Sequence, residues 1–220
     1  NMVRVVVQSA LKGSKVQRPW LGASLQPLTS DLAESLGLDR PAGAMVTRVH
    51  GKGPAQGAGL EVGDVIVSFD GKDIQDPEAL EYRFVTKGIG STVELGLYRD
   101  GKRFRTSFAT VAPIEDPPRD EQDLTGANPF AGSRVANLSP SVSAEIGMDD
   151  DGEAGVVVTK VERRSNAGRL GLRPGDIIIG VNDEGIQSVK QLSDVLQAAV
   201  GRWRLAIERG GKVFELTVRG

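Results

Sequence analysis

The chain contains a single histidine, His50, so this is the only side chain that could act as the base of a Ser-His-Asp hydrolytic triad. A nucleophile elbow would place a glycine on each side of a serine. Ser24 has Gly22 before it, but Gln26 stands where the second glycine belongs. We therefore predict that these residues are not an enzyme by themselves. The chain also lacks cysteine, which excludes thiolate chemistry and disulfides.

Two other patterns approach a cofactor or metal motif without completing it. Gly51 and Gly53 begin a dinucleotide fingerprint, but Gln56 occupies the position of the third glycine. Residues 149–153 form an acidic run whose consecutive spacing does not match an EF-hand loop. We expect an exposed loop there, no metal site and no cofactor.

One arrangement near the start of the chain fits a binding function. Leu21, Gly22 and Ala23 precede a predicted strand, and their successive N–H groups would form a nest for an anion such as a peptide's terminal carboxylate. The strand at 23–26 would offer its edge to an added peptide strand. This pattern predicts peptide capture by strand addition.

A predicted helix would form the other wall of this groove. Leu80 and Phe84 lie four residues apart, on one face of that helix, and would line an apolar side-chain pocket. Trp20 and Trp203 are interpreted as packing residues rather than as stacking platforms for nucleic-acid bases.

An internal repeat supplies the elements that position these residues. Residues 59–66 read GLEVGDVI and return 112 positions later as GLRPGDII at 171–178, which indicates two copies of one domain. Asp64 and Asp176 are expected to fix a turn by accepting backbone N–H groups. The β-branched runs that follow predict strands buried on both faces.

The remaining elements follow the same order in each copy. In the first copy, the pattern predicts a helix from Thr29 or Ser30 to residue 36, with Ser30 as its N-cap and Gly37 as its C-cap. A second helix is predicted to start at Asp76 and Pro77. The other predicted elements are strands at 44–49 and 65–69, a helical turn at 55–58 and a hairpin over 93–111. The second copy predicts helices at 141–146 and 188–199, strands at 155–161 and 177–181, and a hairpin over 203–218.

Outside the repeats, residues 113–128 are rich in proline and acidic side chains and predict an extended, solvated linker. The predicted domains are therefore 19–112 and 129–220, preceded by a short segment at 1–18, whose first twelve residues read as a helix or a strand. Asn1 is not a natural start, so we expect a fragment of a longer protein. A net charge of −2 gives no general attraction to nucleic acid, and no apolar run is long enough to insert into a membrane.

The signature at 59–66 and the order of elements resemble a PDZ domain. Residues 18–22 (RPWLG), 128–132 (NPFAG) and 175–182 (GDIIIGVN) are similar to bacterial HtrA/Deg serine proteases of the DegP and DegQ type. The resemblance implies an α+β fold of two PDZ-like domains. Each would be a small, partly open β-barrel or sandwich capped by two helices in the HtrA-type permuted order, and an acidic, Pro-rich linker would join them.

The resemblance also carries functional expectations. It implies that residues 1–18 are the tail of an absent protease domain and that the parent is a periplasmic serine endopeptidase, which degrades misfolded proteins as an oligomer. The segment would then capture C-terminal peptides of unfolded substrate proteins. The alternative is a structural module that contacts PDZ domains of other subunits and supports cage assembly.

Site residues can be carried over by position. In the first domain the predicted peptide-binding residues are Trp20, Leu21, Gly22, Ala23, Ser24, Leu25, Leu80 and Phe84. In the second domain they are Phe130, Ala131, Gly132, Ser133, Val189, Leu192 and Leu196. Because Ala131 and Ser133 are small, this second site is predicted to be weak or occluded, and a spacer role is its alternative.

Overall fold

The computed structural model describes residues 18–148, 154–198 and 201–219. The chain divides into two units between Pro113 and Ile114, and each unit is described by itself. The segment predicted at 1–12 and the acidic run at 149–153 lie outside the described residues.

The first unit is built on an antiparallel sheet with the strand order β1-β2-β3-β5-β6, and β4 pairs beside β3. Strand β1 is therefore an edge strand, and α3 packs against β1 and β2. The elements are β1 (Ala23–Pro27), α1 (Ser30–Leu36), β2 (Ala44–Val49), α2 (Pro54–Gly57), β3 (Val65–Phe69), β4 (Lys72–Asp73), α3 (Pro77–Lys87), β5 (Thr92–Arg99) and β6 (Lys102–Ala109).

The second unit repeats this sheet and adds one short strand to it. The elements are β7 (Gln122–Asp123), β8 (Ser133–Asn137), α4 (Pro140–Ile146), β9 (Val156–Val161), α5 (Asn166–Leu170), β10 (Ile177–Val181), β11 (Glu184–Gly185), α6 (Val189–Ala198), β12 (Arg202–Arg209) and β13 (Lys212–Arg219). Its strand order is β13-β12-β10-β9-β8-β7, with β11 beside β10, so β7 lies outside the strand that corresponds to β1. The α+β prediction is confirmed, and both sheets are open.

The strands that follow the repeated Gly-Asp pairs are buried on both faces, as predicted. Ile66 belongs to the cluster beneath α3, whereas Val65 packs on the opposite face with α1. In the second unit Ile178 and Ile177 divide in the same way between two clusters. Each sheet thus separates a larger core under its long helix from a smaller core under its first helix.

Helix ends follow the predicted caps with one correction. The N-cap of α1 is Thr29, whose hydroxyl accepts the Leu32 amide, and not Ser30, which is already helical. Gly37 closes this helix in the left-handed conformation, and Asp76 caps α3 by accepting the Ala79 amide at 2.7 Å. The other predicted boundaries differ from the observed ones by a residue or two, as helix and strand ends commonly do.

The segment predicted as a solvated linker instead packs on the second unit. The Ser141 amide donates to the Ile114 carbonyl at 2.9 Å, β7 lies inside this segment, and Leu124 is 4% exposed in the core. Proline and acidic side chains do not prevent this, because main-chain hydrogen bonds, ion pairs of Arg119 and Asp123 and one apolar anchor hold the segment. Residues 114–128 are thus part of the second unit's fold.

A buried ion pair holds the Gly-Asp turn in both copies. The Asp64 carboxylate accepts the Glu61 amide at 2.9 Å, as predicted, and also accepts Arg99 at 2.5 and 2.7 Å. This hydrogen bond raises the pKa of Arg99. Asp176 and Arg209 repeat the arrangement at 2.6 and 2.7 Å. The aspartate of the turn is therefore tied to the hairpin by two charge-assisted bonds in each unit.

We expect Arg99→Ala to lower the free energy of unfolding of the first unit by about 3 kcal/mol, because it leaves a buried carboxylate unpaired. Asp64 is 1% exposed. Urea unfolding followed by Trp20 fluorescence in a Trp203→Phe background measures the loss. The matched control is Arg105→Ala on the same hairpin, whose partner Glu94 is exposed, with an expected loss under about 0.5 kcal/mol. Equal losses in the two variants would contradict this account.

Candidate functional site

The loop before β1 is held by its carbonyl groups. The Gly22 oxygen accepts the His50 amide at 2.8 Å, and the Leu21 oxygen accepts the Ala55 amide at 2.9 Å. Gly22 has φ +74°, and a Cβ there would lie 2.9 Å from the Gly53 Cα. Glycine is required at this position for both reasons.

The carbonyl groups of Leu21 and Gly22 are bound within the fold, but the amides of the same two residues are not. The Trp20 amide donates to the Val111 carbonyl at 2.8 Å. For Leu21 and Gly22, no acceptor contacts the amide nitrogen in the part of the chain that the structure describes. Two successive amides without acceptors are the donor set that an anion nest needs.

The strand that follows offers an edge. Strand β1 pairs with β2 on one side, and no described strand pairs with its other side. Its residues Ala23 to Gln26 are all partly exposed. The Ser24 carbonyl accepts the Thr47 hydroxyl at 3.2 Å, on the side of β2.

The predicted pocket residues Leu80 and Phe84 lie near β1, but they are more deeply buried than a pocket wall would be. Leu21, Ala23 and Leu25 pack, half-buried, against a core cluster that contains Leu80 and Phe84. These last two side chains are 2% and 5% exposed, so they form the floor of the groove between β1 and α3 and not an open wall.

The Trp20 side chain packs on residues that support the loop. Its ring meets the His50 ring edge-on at a centroid distance of 5.1 Å and lies 3.3 Å from the Cβ position of Gly53. The prediction that Trp20 is a packing residue agrees with these contacts. Sequence reasoning missed His50, Gly53 and Ala55 as supports of the loop. The only signal for them was the glycine-rich stretch between β2 and α2.

The second unit copies this scaffold. The Gly132 oxygen accepts the Glu162 amide at 2.8 Å, and the Ala131 oxygen accepts the Ala167 amide at 3.1 Å. The amides that correspond to those of Leu21 and Gly22, however, are already used: Ala131 donates to the Asn128 carbonyl at 3.3 Å, and Gly132 donates to the Leu124 carbonyl at 2.8 Å.

The edge of β8 is also paired, by residues of its own unit. Gln122 and Asp123 of β7 lie opposite Val135 and Arg134. Phe130, Ser133, Val189 and Leu192 are fully buried, Ala131 and Gly132 are partly buried, and Leu196 packs against the same core. The groove between the predicted residues of the second site is thus filled by residues of the same unit, which agrees with the occluded alternative of the prediction.

The described residues hold no group of three or more His, Cys, Asp or Glu side chains that could bind a metal ion. In the same residues, no helix is long and apolar enough to span a bilayer. What the geometry offers is therefore a main-chain binding edge, with donors at one end and an apolar floor.

Comparison with known proteins agrees with this geometry. Family models described as "PDZ domain" match residues 19–109 and 157–209. The chain contains two PDZ domains. We refer to the first and second units as PDZ1 and PDZ2.

The curated relatives of both PDZ domains together are proteases. A probable periplasmic serine endoprotease DegP-like of Bartonella henselae is 35% identical over 209 residues, which is 92% of this chain and 39% of the relative. The protein of the same name from Pseudomonas putida is 39% identical over 187 residues, which is 84% of this chain and 39% of the relative. The chain thus spans about two fifths of the length of these relatives.

Among solved structures, an HtrA-type protease AlgW with decapeptide is 32% identical. The alignment covers 52% of this chain and 35% of that chain, with a TM-score of 0.45.

We expect Gly22→Ala to destabilise PDZ1 by about 2 kcal/mol, because it combines a left-handed backbone with a collision against the Gly53 backbone. The matched control is Gly59→Ala. Gly59 has φ +76° but open space around its Cβ position, so about 1 kcal/mol is expected. Urea unfolding compares the two variants. If both lose the same free energy, the close approach of Gly22 to Gly53 does not constrain the loop.

Proposed function

We propose that PDZ1 binds the C-terminal end of an extended polypeptide by adding it as a strand to β1. The observation that carries this proposal is the pair of Leu21 and Gly22 amides, which have no acceptor among the described residues. They stand at the start of β1, and no described strand pairs with the outer edge of this strand. A terminal carboxylate is the acceptor that suits two adjacent N–H groups.

The apolar floor sets the side-chain preference. The last side chain of the peptide would rest against Leu80 and Phe84, between β1 and α3. Both of these side chains are apolar, so an apolar last residue is favoured, because burying a charged one unpaired would be costly. Affinity for a single peptide is expected to be on the order of micromolar, about −8 kcal/mol.

The curated relatives indicate the setting. We propose that the chain is the peptide-binding regulatory segment of a periplasmic serine endopeptidase, in which PDZ1 holds C-termini of unfolded substrate proteins. Two observations support this proposal. The relatives that match 84–92% of the chain are named as periplasmic serine endoproteases, and the chain contains two PDZ domains. The catalytic residues would belong to the parent protein outside this segment.

The decisive test compares one peptide with two C-terminal groups. A peptide that ends in leucine with a free carboxylate is expected to bind 10- to 100-fold more tightly than its amidated form, because charge-assisted bonds to the nest are lost. Fluorescence anisotropy measures both affinities. Equal binding of the two peptides would reject carboxylate capture.

Protein variants provide the control for this measurement. Gly22→Ala should abolish the difference between acid and amide, since it displaces the nest. Gly59→Ala carries similar backbone strain away from the groove and should bind as the unmodified chain does.

An assembly role is the second candidate, and one surface favours it. Strand β13 is the edge strand of the described sheet, and its Val213, Phe214 and Leu216 are 56%, 45% and 37% exposed. In the corresponding β6 of PDZ1, polar Arg103 and Thr106 replace Val213 and Leu216. Exposed apolar side chains on a sheet edge favour association with other subunits.

We expect Val213→Arg with Leu216→Thr, which copies PDZ1 onto PDZ2, to reduce assembly of the full-length protein that contains this chain. Added charge on an edge strand opposes edge-to-edge pairing. Sedimentation velocity measures the size distribution, and a form that lacks the whole second unit, residues 114–220, marks the maximum effect. An unchanged distribution in both would exclude PDZ2 from assembly.

A further inference from the structure

The groove of PDZ2 is occupied by residues 119–124, which we call the strap. At one end, the Asn137 amide donates to the Arg119 carbonyl at 2.7 Å, and the Asn137 side chain donates to the Pro118 carbonyl at 2.8 Å. In the middle, β7 pairs with β8, and the Ser193 hydroxyl of α6 donates to the Gln122 side chain at 2.7 Å. The strap therefore contacts both walls of the groove.

The C-terminal end of the strap takes the place of a terminal carboxylate. The Leu124 carbonyl accepts the Gly132 amide at 2.8 Å, and Gly132 corresponds to Gly22 of PDZ1. The Leu124 amide donates to the Ser133 carbonyl at 2.8 Å. The Leu124 side chain is 4% exposed, in the core cluster that contains Val189 and Leu192. A C-terminal leucine would use the same three contacts.

Charge adds a second recognition element beside this leucine. Asp123 accepts Arg134 of β8 through two bonds of 2.7 and 2.8 Å, and this hydrogen bonding lowers the pKa of Asp123. The Arg134 side chain also lies 4.0 Å from Glu121. The cavity next to these residues has a volume of about 600 Å³ and includes Lys160, Arg164 and Arg169 among its lining residues. The groove is thus built for an acidic residue ahead of an apolar one.

We propose that the strap is an internal ligand, and that PDZ2 is a second peptide site that opens when the strap is displaced. The ligand class that it accepts is an extended segment that ends in leucine or a similar apolar residue and carries an acidic residue just before it. This inference does not depend on peptide binding by PDZ1.

The physical basis is competition within one chain. Leu124 and Gly132 are eight residues apart, so the strap is held at an effective concentration in the millimolar range. A peptide with micromolar intrinsic affinity would then bind about 100- to 1,000-fold more weakly than to an open groove. The strap is also short and polar: its residues 120–123 are exposed, and Leu124 is its one fully buried side chain.

The test uses the full chain and residue-resolved NMR with a hexapeptide that copies the strap, RDEQDL, with a free carboxylate. Amide signals of Ser133–Asn137 report on PDZ2, and those of residues 23–26 report on PDZ1. Failure of one site is therefore distinguishable from failure of the other. In the unmodified chain, we expect the β8 signals to respond only at peptide concentrations at least 100-fold above those needed by a released variant.

Two variants release the strap in different ways. Leu124→Ser removes the apolar anchor, and Gln122→Pro removes a main-chain donor of β7 while leaving Leu124 in place. Leu172→Ser is the matched control. Leu172 is buried in the same core at 6% exposure, but it does not belong to the strap. Both releasing variants should bind the hexapeptide at β8, and the control should not.

A disulfide closes the groove instead. Asp123 and Arg134 are direct cross-strand partners, and the chain has no cysteine of its own, so Asp123→Cys with Arg134→Cys gives a single bridge. The oxidised form should show no β8 response at any peptide concentration, and reduction should restore it.

Hydrogen exchange of the unmodified chain provides a test that does not depend on the folding of the releasing variants. If the strap opens by itself, the Gly132 amide exchanges faster than the β9 amide of Val158, and the disulfide abolishes this difference. The proposal is overturned if Gly132 and Val158 exchange together through global unfolding. It is equally overturned if β8 responds to peptide as readily in the unmodified chain as in folded releasing variants.

Discussion

A main-chain amide at the edge of a sheet needs an acceptor, and the source of that acceptor decides what each PDZ domain does. In PDZ1 the Leu21 and Gly22 amides find none among the described residues, so water or a ligand must supply it. In PDZ2 the Leu124 carbonyl supplies it from within the chain. Because a new hydrogen bond to a ligand replaces one to water, the net gain for each is about 1 kcal/mol, and specificity must come from the carboxylate charge and the apolar floor.

The scaffold keeps these amides in place by fixing everything around them. Carbonyl groups of each loop are bound by amides of a later loop, and the left-handed Gly22 and Gly132 turn the chain so that donors and acceptors face opposite directions. The buried pairs of Asp64 with Arg99 and of Asp176 with Arg209 tie the hairpin to the turn that starts the central strand. The binding edge is thus rigid before a ligand arrives, which limits the entropy lost on binding.

Much of the fold could be predicted from the sequence because its signals are local. The Gly-Asp turns, the β-branched strands and the Asp76 cap depend on neighbouring residues, and all are confirmed. The partners Arg99 and Arg209 could not be predicted, because they lie more than 30 residues from their aspartates. The strap was missed for another reason: a two-residue strand has no periodicity, and its proline-rich, acidic surroundings have the composition of a linker.

The two PDZ domains share one scaffold, but the strap lies in the groove of PDZ2, whereas no described strand lies beside β1 of PDZ1 on its outer edge. If PDZ1 holds the end of an unfolded polypeptide, other parts of that polypeptide are at a high effective concentration near the same chain, as the strap itself is. A segment held in this way could compete with the strap, whereas a dilute peptide could not. An acidic residue followed by leucine would have the advantage, since it reproduces the contacts of Asp123 and Leu124. PDZ2 would then respond to polypeptides already captured, and the strap would set the threshold.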